Sequence, residues 1–402
     1  VKDFDVIIAG AGPAGASAAK VLAGRGFRVL LLERQRTVAQ YIPCAEGISR
    51  RVLVTFEPED PRWIAATVDK VRFLAPEQET FEVLTPKVGY ILERKVFDRH
   101  LVNEALLAGA DLITGATVTH AERTESGVTV YYQHQGQQKH LEAQLVIGAD
   151  GPGSVVGRSL GLRLDLTPKD VHRCHQVLLA HPSIEAERME IAVGQGVAPG
   201  GYAWVFPKDR GLANVGVGIL GDEAQARRFT LQFIAQRFPG GKILGELASV
   251  VPTGGHRMDL VGDRVMVVGD AARLADPLSG GGIPQALDSG HIAGEVAAEA
   301  LENGRLDAQT LAEYPRRFWK TYGRYQDLSV RLRDFYLELN DGELAYLARS
   351  LKSVFDGKIL TTPDAFFLVR RALLERPGLM VFLLRKGRKA LVDYLQERIL
   401  GG

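Results

Sequence analysis

"DFDVIIAGAGPAGASAAKVLAGRGFRVLLLERQ", residues 3–35, decides the fold. Val6-Ile7-Ile8 is a short apolar run and reads as a buried strand. Gly10-Ala11-Gly12-Pro13-Ala14-Gly15 follows, then an Ala-rich helix to about Ala23, closed by Gly24-Arg25-Gly26. Arg28–Leu32 is a second apolar strand, and Glu33 closes it 21 residues after Gly12. Strand, glycine turn, helix, strand and acid together make a complete dinucleotide-binding unit. Gly10 permits the tight turn, Gly12 lets the backbone approach a pyrophosphate, and Gly15 lets the helix pack on the strand. The helix start at Pro13 and Ala14 offers N–H groups and a positive dipole to phosphate. Glu33 is placed to accept hydrogen bonds from ribose hydroxyls.

This unit alone does not separate FAD from NAD; two later stretches do. "QLVIGADGPGSVVGRSLG" (144–161) is an apolar strand ending at Asp150-Gly151, with a turn and a helix start behind it. "DRVMVVGDAARLADPLSGGGIPQALDSGHIAGEVAAEAL" (263–301) is an apolar strand ending at Gly269-Asp270. Asp276-Pro277 and the turn Gly280-Gly281-Gly282 then lead into a long helix from Ile283. Asp270 stands at a strand's C-terminal end, where ligands bind in open α/β sheets, and suits the ribityl hydroxyls. The glycine turn aims helix N–H groups at the pyrimidine edge of an isoalloxazine, where a positive helix end favours the anionic reduced ring. In this order the pieces specify FAD.

The bulk composition sets the frame. At 402 residues, with 46% apolar and 24% charged residues, the chain is an ordinary globular α/β protein with room for more than one domain. Its net charge of +1 provides no field for nucleic acid. Two cysteines, Cys44 and Cys174, rule out a disulfide scaffold and fit a reducing cytosol. The first residues run directly into a strand without a signal-peptide pattern. The longest apolar run, Leu379–Leu384, is far short of the about 18–20 residues that span a bilayer. A cytoplasmic protein is the expectation. His172, Cys174 and His175 in "VHRCHQVLLA" do not make a metal site. On an alternating strand His175 opposes the other two, and no second ligand pair follows.

"APGGYAWVFPKD" (198–209) raises a separate question. Tyr202, Trp204 and Phe206 leave one face of a strand, because strand side chains alternate with period two. Three rings on one face build either an ordinary core or the wall of an apolar tunnel.

With GxGxxG, Gly-Ala-Asp-Gly and Gly-Asp-Ala-Ala in this order, residues 1 to about 300 resemble the aromatic-hydroxylase-type FAD-dependent oxidoreductases. "IPCAEGIS" (42–49) resembles the Pro-Cys-Gly-containing loop of the geranylgeranyl reductase family, with Ala45 where glycine is common. Pro199–Lys208, followed by "ANVGVGI" (213–219), resembles that family's Tyr-x-Trp-x-Phe-Pro motif. The resemblance implies a reductase that saturates isoprenoid double bonds of a prenyl lipid or polyprenyl diphosphate with hydride from flavin N5. The protein then positions and shields, since the cofactor carries the chemistry. A polyprenyl chain offers nothing to hydrogen-bond, so an aromatic wall of Tyr202, Trp204 and Phe206 would hold it, with Lys208 facing solvent or a polar head group.

The resemblance also implies residue roles. Cys44 lies beside the isoalloxazine, where it tunes delivery or relays a proton. Arg34, Ala45 and Gly47 join the FAD contacts, as do Gly151, Pro277, Gly281, Gly282 and Ile283. Arg99, on the amphipathic helix of 91–110, reaches towards the pyrophosphate; Arg94 is a second candidate. The backbone of Gly115–Val118 meets the adenine.

The expected organisation is a Rossmann-like FAD-binding domain (1–51, 93–164 and 259–305) interrupted by an antiparallel substrate-binding sheet (52–92 and 165–258). A C-terminal helical region (306–402) follows. Residues 364–402 carry eight Lys/Arg against four Asp/Glu, so this region either lies on an anionic membrane surface or caps the tunnel. No second nicotinamide-type GxGxxG appears, which leaves NAD(P)H binding at the flavin face or a ferredoxin-like carrier as electron donor. The rival activity is a flavin-dependent monooxygenase or halogenase. A halogenase needs Trp-x-Trp-x-Ile-Pro, where this chain has Tyr202 and Phe206.

Overall fold

The computed structural model describes residues 2–253, 258–360, 365–386 and 389–397. The chain divides into two compact units, each made of three segments. The first comprises residues 1–42, 93–171 and 250–326, the second 43–92, 172–249 and 327–402. The divide differs from the expected boundaries at every junction except that between residues 92 and 93. The Cys44 loop goes with the second unit, and residues 327–402 join that unit instead of forming a region of their own. Asp364, Arg388 and Arg398, counted above among the C-terminal charges, lie outside the described residues.

The first unit is built on parallel strands whose central stretches, Val6–Ala9, Val29–Leu32, Leu145–Ile147 and Val265–Val267, are apolar and buried, as sheets covered on both faces require. Phe4–Ala9 pairs with Val29–Glu33 on one side and Gln137–Gly148 on the other, and Val265–Val267 pairs with Gln137–Gly148. Asp111–Thr114 extends the sheet beyond Val29–Glu33. Ala116–Arg123 and Val128–His134 add an antiparallel flap that continues into the first half of Gln137–Gly148. The helix Pro13–Gly24 begins with proline in its first turn, a position where a missing N–H costs nothing. It packs on the helix Ile283–Glu302, where a Cβ at Gly290 would stand 2.1 Å from the carbonyl oxygen of Ala14.

The second unit holds an eight-stranded sheet. Its pairings include Val171–Ala180 with Leu212–Ile219, Leu212–Ile219 with Tyr202–Asp209, and Tyr202–Asp209 with Arg188–Ala192, all antiparallel. Ile64–Leu74 pairs antiparallel with Thr80–Leu92, which also takes the short strand Gly47–Ser49. One pairing departs from the expected antiparallel pattern: Arg188–Ala192 runs parallel to Ile64–Leu74. A sequence reading cannot see this, because the two strands are joined only through distant chain.

The two faces of this sheet have different covers. Val177, Leu179, Val205, Val215 and Val217 face a core closed by Phe233, Ile234 and Phe238 of and beside the helix Glu223–Arg237. Phe81 and Val83 pack instead with Leu328, Phe335, Leu344 and Phe355 from the C-terminal helices, among them Asp341–Phe355. The chain after that helix runs along the edge of Thr80–Leu92, with Leu360 N–H donating to Leu84 O at 2.8 Å.

Candidate active site

In the first unit, the glycine turn is tightened to its limit. Gly10 has φ +104°, and a Cβ there would stand 2.3 Å from Ala149 O. A Cβ at Gly15 would stand 2.0 Å from Gly10 O. These two glycines answer to the protein's own backbone. Gly12 does not: a Cβ there meets nothing within 4 Å, and its φ of −72° suits any residue. Its glycine leaves open space at the N-terminus of Pro13–Gly24, which is the place a pyrophosphate needs. Glu33 is buried; its Oε2 accepts from Ala11 N–H at 2.9 Å and its Oε1 from Gln35 N–H at 2.8 Å. The carboxylate therefore ties the glycine turn to the end of the second strand.

Three more acids line the strand ends. Asp150 Oδ2 accepts from Val156 N–H at 3.0 Å, while its Oδ1 is buried without a partner among the described residues. Burial pushes its carboxyl above the usual range, against the N–H groups that favour the charge. Burial also raises Asp270, against the pull of the Arg94 and Arg273 guanidinium groups. Asp276 organises the turn behind it, accepting from Ser279 N–H at 2.7 Å and Leu278 N–H at 3.2 Å. An orphaned carboxyl oxygen, a second carboxyl desolvated by burial beside two guanidinium groups, and a glycine kept free of any side chain fit the phosphate and hydroxyl groups of FAD.

The remaining first-unit candidates are placed as follows. Pro13 and Ala14 form the helix start, and Gly151 opens a single 3₁₀ turn after Asp150. Gly269 and Asp270 open another such turn, and Pro277, Gly281 and Gly282 lead to the helix at Ile283. Val118 is half-buried on the flap. Arg34 and Arg99 are exposed, and Arg99 Nε donates to Val38 O at 3.1 Å. Arg94 is the buried arginine of that helix. It grips Asp98 through two hydrogen bonds of 2.6 and 2.8 Å and is the one whose charge reaches Asp270.

In the second unit, the three rings stand in a row. The centroids of Tyr202 and Trp204 are 5.9 Å apart, and those of Trp204 and Phe206 are 6.5 Å apart. Trp204 is 6% exposed; Tyr202 and Phe206 are half-buried. The neighbouring strand makes room with glycines. Tyr202 pairs with Gly218 and Trp204 with Gly216, and a Cβ at Gly216 would stand 2.5 Å from the indole Cζ2. An aromatic ring laid over strand glycines covers their backbone and fixes register. The indole Nε1 is buried with no partner among the described residues.

The Cys44 loop lies against this row, for a Cβ at Gly47 would stand 2.9 Å from Phe206 Cε2. Cys44 is half-buried, and its Sγ accepts from Glu46 N–H at 3.3 Å. Ala45 O accepts from Asn214 Nδ2 at 3.4 Å. Lys208 does not face solvent or a head-group position. Its ammonium donates to Glu46 Oε2 at 2.6 Å and to Leu92 O at 2.7 Å, because a buried carboxylate beside it demands a counter-charge. Glu46 has φ +73°, a left-handed conformation that costs a side-chain-bearing residue about 1–2 kcal/mol. Cys174 lies on the same sheet face as Tyr202 and Gly218, and burial pushes its thiol up to about 12. Glu46, Asn214 and Gln176 escaped the sequence reading.

Comparison with known proteins agrees with this architecture. The family profile described as an FAD binding domain matches residues 3–193, and that of the geranylgeranyl reductase catalytic domain matches residues 170–251. The chain is 37% identical to a digeranylgeranylglycerophospholipid reductase of Methanothrix thermoacetophila, over 87% of this chain and 91% of that one. It is 38% identical to the reductase of the same name from Methanosarcina acetivorans, over 92% and 94%. Among solved structures, a geranylgeranyl bacteriochlorophyll reductase-like protein of Thermoplasma acidophilum superposes with a TM-score of 0.88. It is 28% identical, and the match covers 95% of this chain and 98% of that one. A myxobacterial chondrochloren halogenase shares the fold alone, with a TM-score of 0.68 at 20% identity over 98% and 92% of the two chains. The chain, with its nucleotide cradle, its ring-and-glycine sheet and its Cys44 loop, belongs to the geranylgeranyl reductase family of FAD-dependent oxidoreductases.

Proposed function

We propose that the protein saturates the isoprenoid double bonds of geranylgeranyl chains carried on a glycerophospholipid. The observation that carries this reading is the row Tyr202–Trp204–Phe206, backed by Gly216, Gly218 and Gly47. Such a surface recognises a chain by shape and dispersion, since a polyprenyl chain offers no hydrogen bond. The names of the relatives favour a lipid over a free diphosphate. When bound, FAD supplies the hydride.

Gly12 and the first turn of Pro13–Gly24 hold the pyrophosphate. Glu33 takes the ribose hydroxyls, and Asp270 the ribityl chain. Gly281, Gly282 and the helix start at Ile283 meet the flavin ring. Trp204 and its neighbours hold the chain and exclude water, and Cys44 holds the proton delivered to the second carbon. Among the described residues no helix is long and apolar enough to cross a membrane. Leu374, Val381 and Leu384 are nonetheless exposed near Arg370, Arg376 and Arg385, and we read this basic apolar patch as the part that rests on a lipid surface. NAD(P)H and a ferredoxin-like carrier are the donor classes to be tried.

The test is anaerobic. The FAD-loaded protein is reduced with dithionite and offered a digeranylgeranyl glycerophospholipid or geranylgeranyl diphosphate, and product masses are read. Gain of one hydrogen pair per double bond on the lipid supports the reading; gain on the diphosphate alone moves the substrate. No gain without O₂, but an added oxygen or halogen once O₂ and halide are present, overturns it in favour of monooxygenase or halogenase chemistry.

A further inference from the structure

Three polar side chains rise from three strands beneath the Cys44 loop. Gln176 Nε2 donates to Cys44 O at 2.8 Å. Asn214 Nδ2 donates to Glu46 Oε2 at 2.7 Å, and Lys208 Nζ donates to the same oxygen at 2.6 Å. On the loop itself, Glu46 N–H donates to Cys44 Sγ, and Glu46 O accepts from Leu92 N–H at 2.9 Å. The strands that supply these groups are Val171–Ala180, Leu212–Ile219 and Tyr202–Asp209, which are neighbours in one sheet.

This arrangement is expensive unless it does something. Glu46 puts a side chain in the left-handed region and a carboxylate in a buried place, and each is unfavourable alone. A loop that only needed packing would use glycine and an apolar contact. Here the polar contacts are directed at consecutive residues, and their joint effect is geometric. With the Glu46 carboxylate and the Cys44 carbonyl both held, the Glu46 N–H points at the sulfur. That hydrogen bond aims the thiol and steadies the charge left on sulfur when the proton departs.

We propose that Glu46, Lys208, Asn214 and Gln176 are positioning residues that hold the Cys44 thiol in its working direction. The proposal rests on the reading of Cys44 as the proton-holding group. Lys208 acts through Glu46 and does not touch substrate.

The experiment uses the FAD-loaded protein and reads kcat, KM and the Raman S–H band of Cys44, assigned by its loss in Cys44→Ala. Lys208→Met is expected to lower kcat about tenfold or more while KM and FAD content stay within about twofold, and to broaden that band. Lys208→Met leaves a buried carboxylate unmatched and can fail to fold, so the paired variant Glu46→Gln with Lys208→Met is made as well. It removes both charges, keeps an amide for Asn214 to hold, and is expected to recover most of kcat and the narrow band. Asn214→Ala gives a smaller loss of the same kind. An unchanged band and kcat in folded Lys208→Met or Asn214→Ala overturns the proposal, as does a paired variant that is folded but has the broad band. Cys44→Ala with full turnover overturns the reading of Cys44 itself, and the band in the other variants still reports whether the thiol is positioned.

Discussion

The indole of Trp204 lies across Gly216 of the neighbouring strand, so that a Cβ at Gly216 would stand 2.5 Å from Cζ2. The same Cβ would also stand 2.6 Å from Gln176 Cβ and from His175 O. A ring can swing aside, but a backbone carbonyl in a sheet cannot. Gly216→Ala is therefore expected to lose about 1–3 kcal/mol of stability. Adding Trp204→Ala should not restore it fully, as read from denaturant midpoints of both variants and the double variant.

Trp204→Ala separates the ring wall from the cofactor cradle. The ring is buried, so its loss costs about 3–5 kcal/mol of stability in the unit that carries it. If the row holds a prenyl chain, turnover of long chains falls more than turnover of short ones while bound FAD per folded chain stays at parental level. Flavin absorbance and chain-length kinetics read the two effects separately. A variant that loses FAD in step with turnover would make the rings ordinary core.

Two glycines of the dinucleotide turn make a sharper comparison. Gly15→Ala forces a Cβ against Gly10 O and is expected to destabilise the apo protein by at least about 1–3 kcal/mol. Gly12→Ala projects its methyl into open space and should change apo stability by no more than about 0.5 kcal/mol. It should still weaken FAD binding about tenfold or more if the open space at Gly12 is where the pyrophosphate sits, as proposed above. Thermal melts of apo protein beside FAD titrations decide it.

The two cysteines should differ in reactivity. Desolvation holds the Cys174 thiol near 12, so almost none of it is thiolate at pH 8. Both cysteines are half-buried, so the difference rests on the desolvated Cys174 thiol and not on exposure. Iodoacetamide at pH 8 is expected to label Cys44 well before Cys174, as peptide masses over a time course will show.

Acid should weaken one surface cluster in a defined window. Glu313 is held at about 2 by its hydrogen bonds to Arg316 and Arg317. A carboxyl whose folded value is depressed contributes stability above its unfolded value of 4.5, and that contribution drains away as pH falls towards about 2. Glu313→Gln should therefore melt lower than the parent at pH 7, with the difference shrinking between pH 4.5 and 2. The exposure of the pair keeps the effect modest and salt-sensitive.

Much of the first unit was legible because its determinants are local. The turn, helix start and closing acid between Gly10 and Glu33 fall within one strand–helix–strand stretch, and Gly15 and Glu33 answer to partners inside it. Position around a helix was harder. Arg94 and Arg99 are five residues apart, about 140° around the axis, and nothing local says which of them turns inward. The second unit hid most. Tyr202, Trp204 and Phe206 announce a shared face by alternation, but Lys208 looks like a strand end reaching for water. Its partner Glu46 is 162 residues away in the chain, and Asn214 and Gln176 reach back over 168 and 132 residues. Contacts of that span leave no periodicity to read.

The interleaving of the two units also sets an order of manufacture. The strand Phe4–Ala9 cannot find its neighbour Gln137–Gly148 until a large part of the chain has left the ribosome, and the sheet waits further for Val265–Val267. The first unit has its last segment by residue 326, while the second still lacks residues 327–402. At about 5–20 residues per second those 76 residues take roughly 4–15 s to make. For that interval the nascent chain carries all the nucleotide-binding strands, and the second unit's sheet still lacks the helices that will cover Phe81 and Val83. Until those helices arrive, the face that carries these two residues presents apolar side chains of the kind chaperones cover.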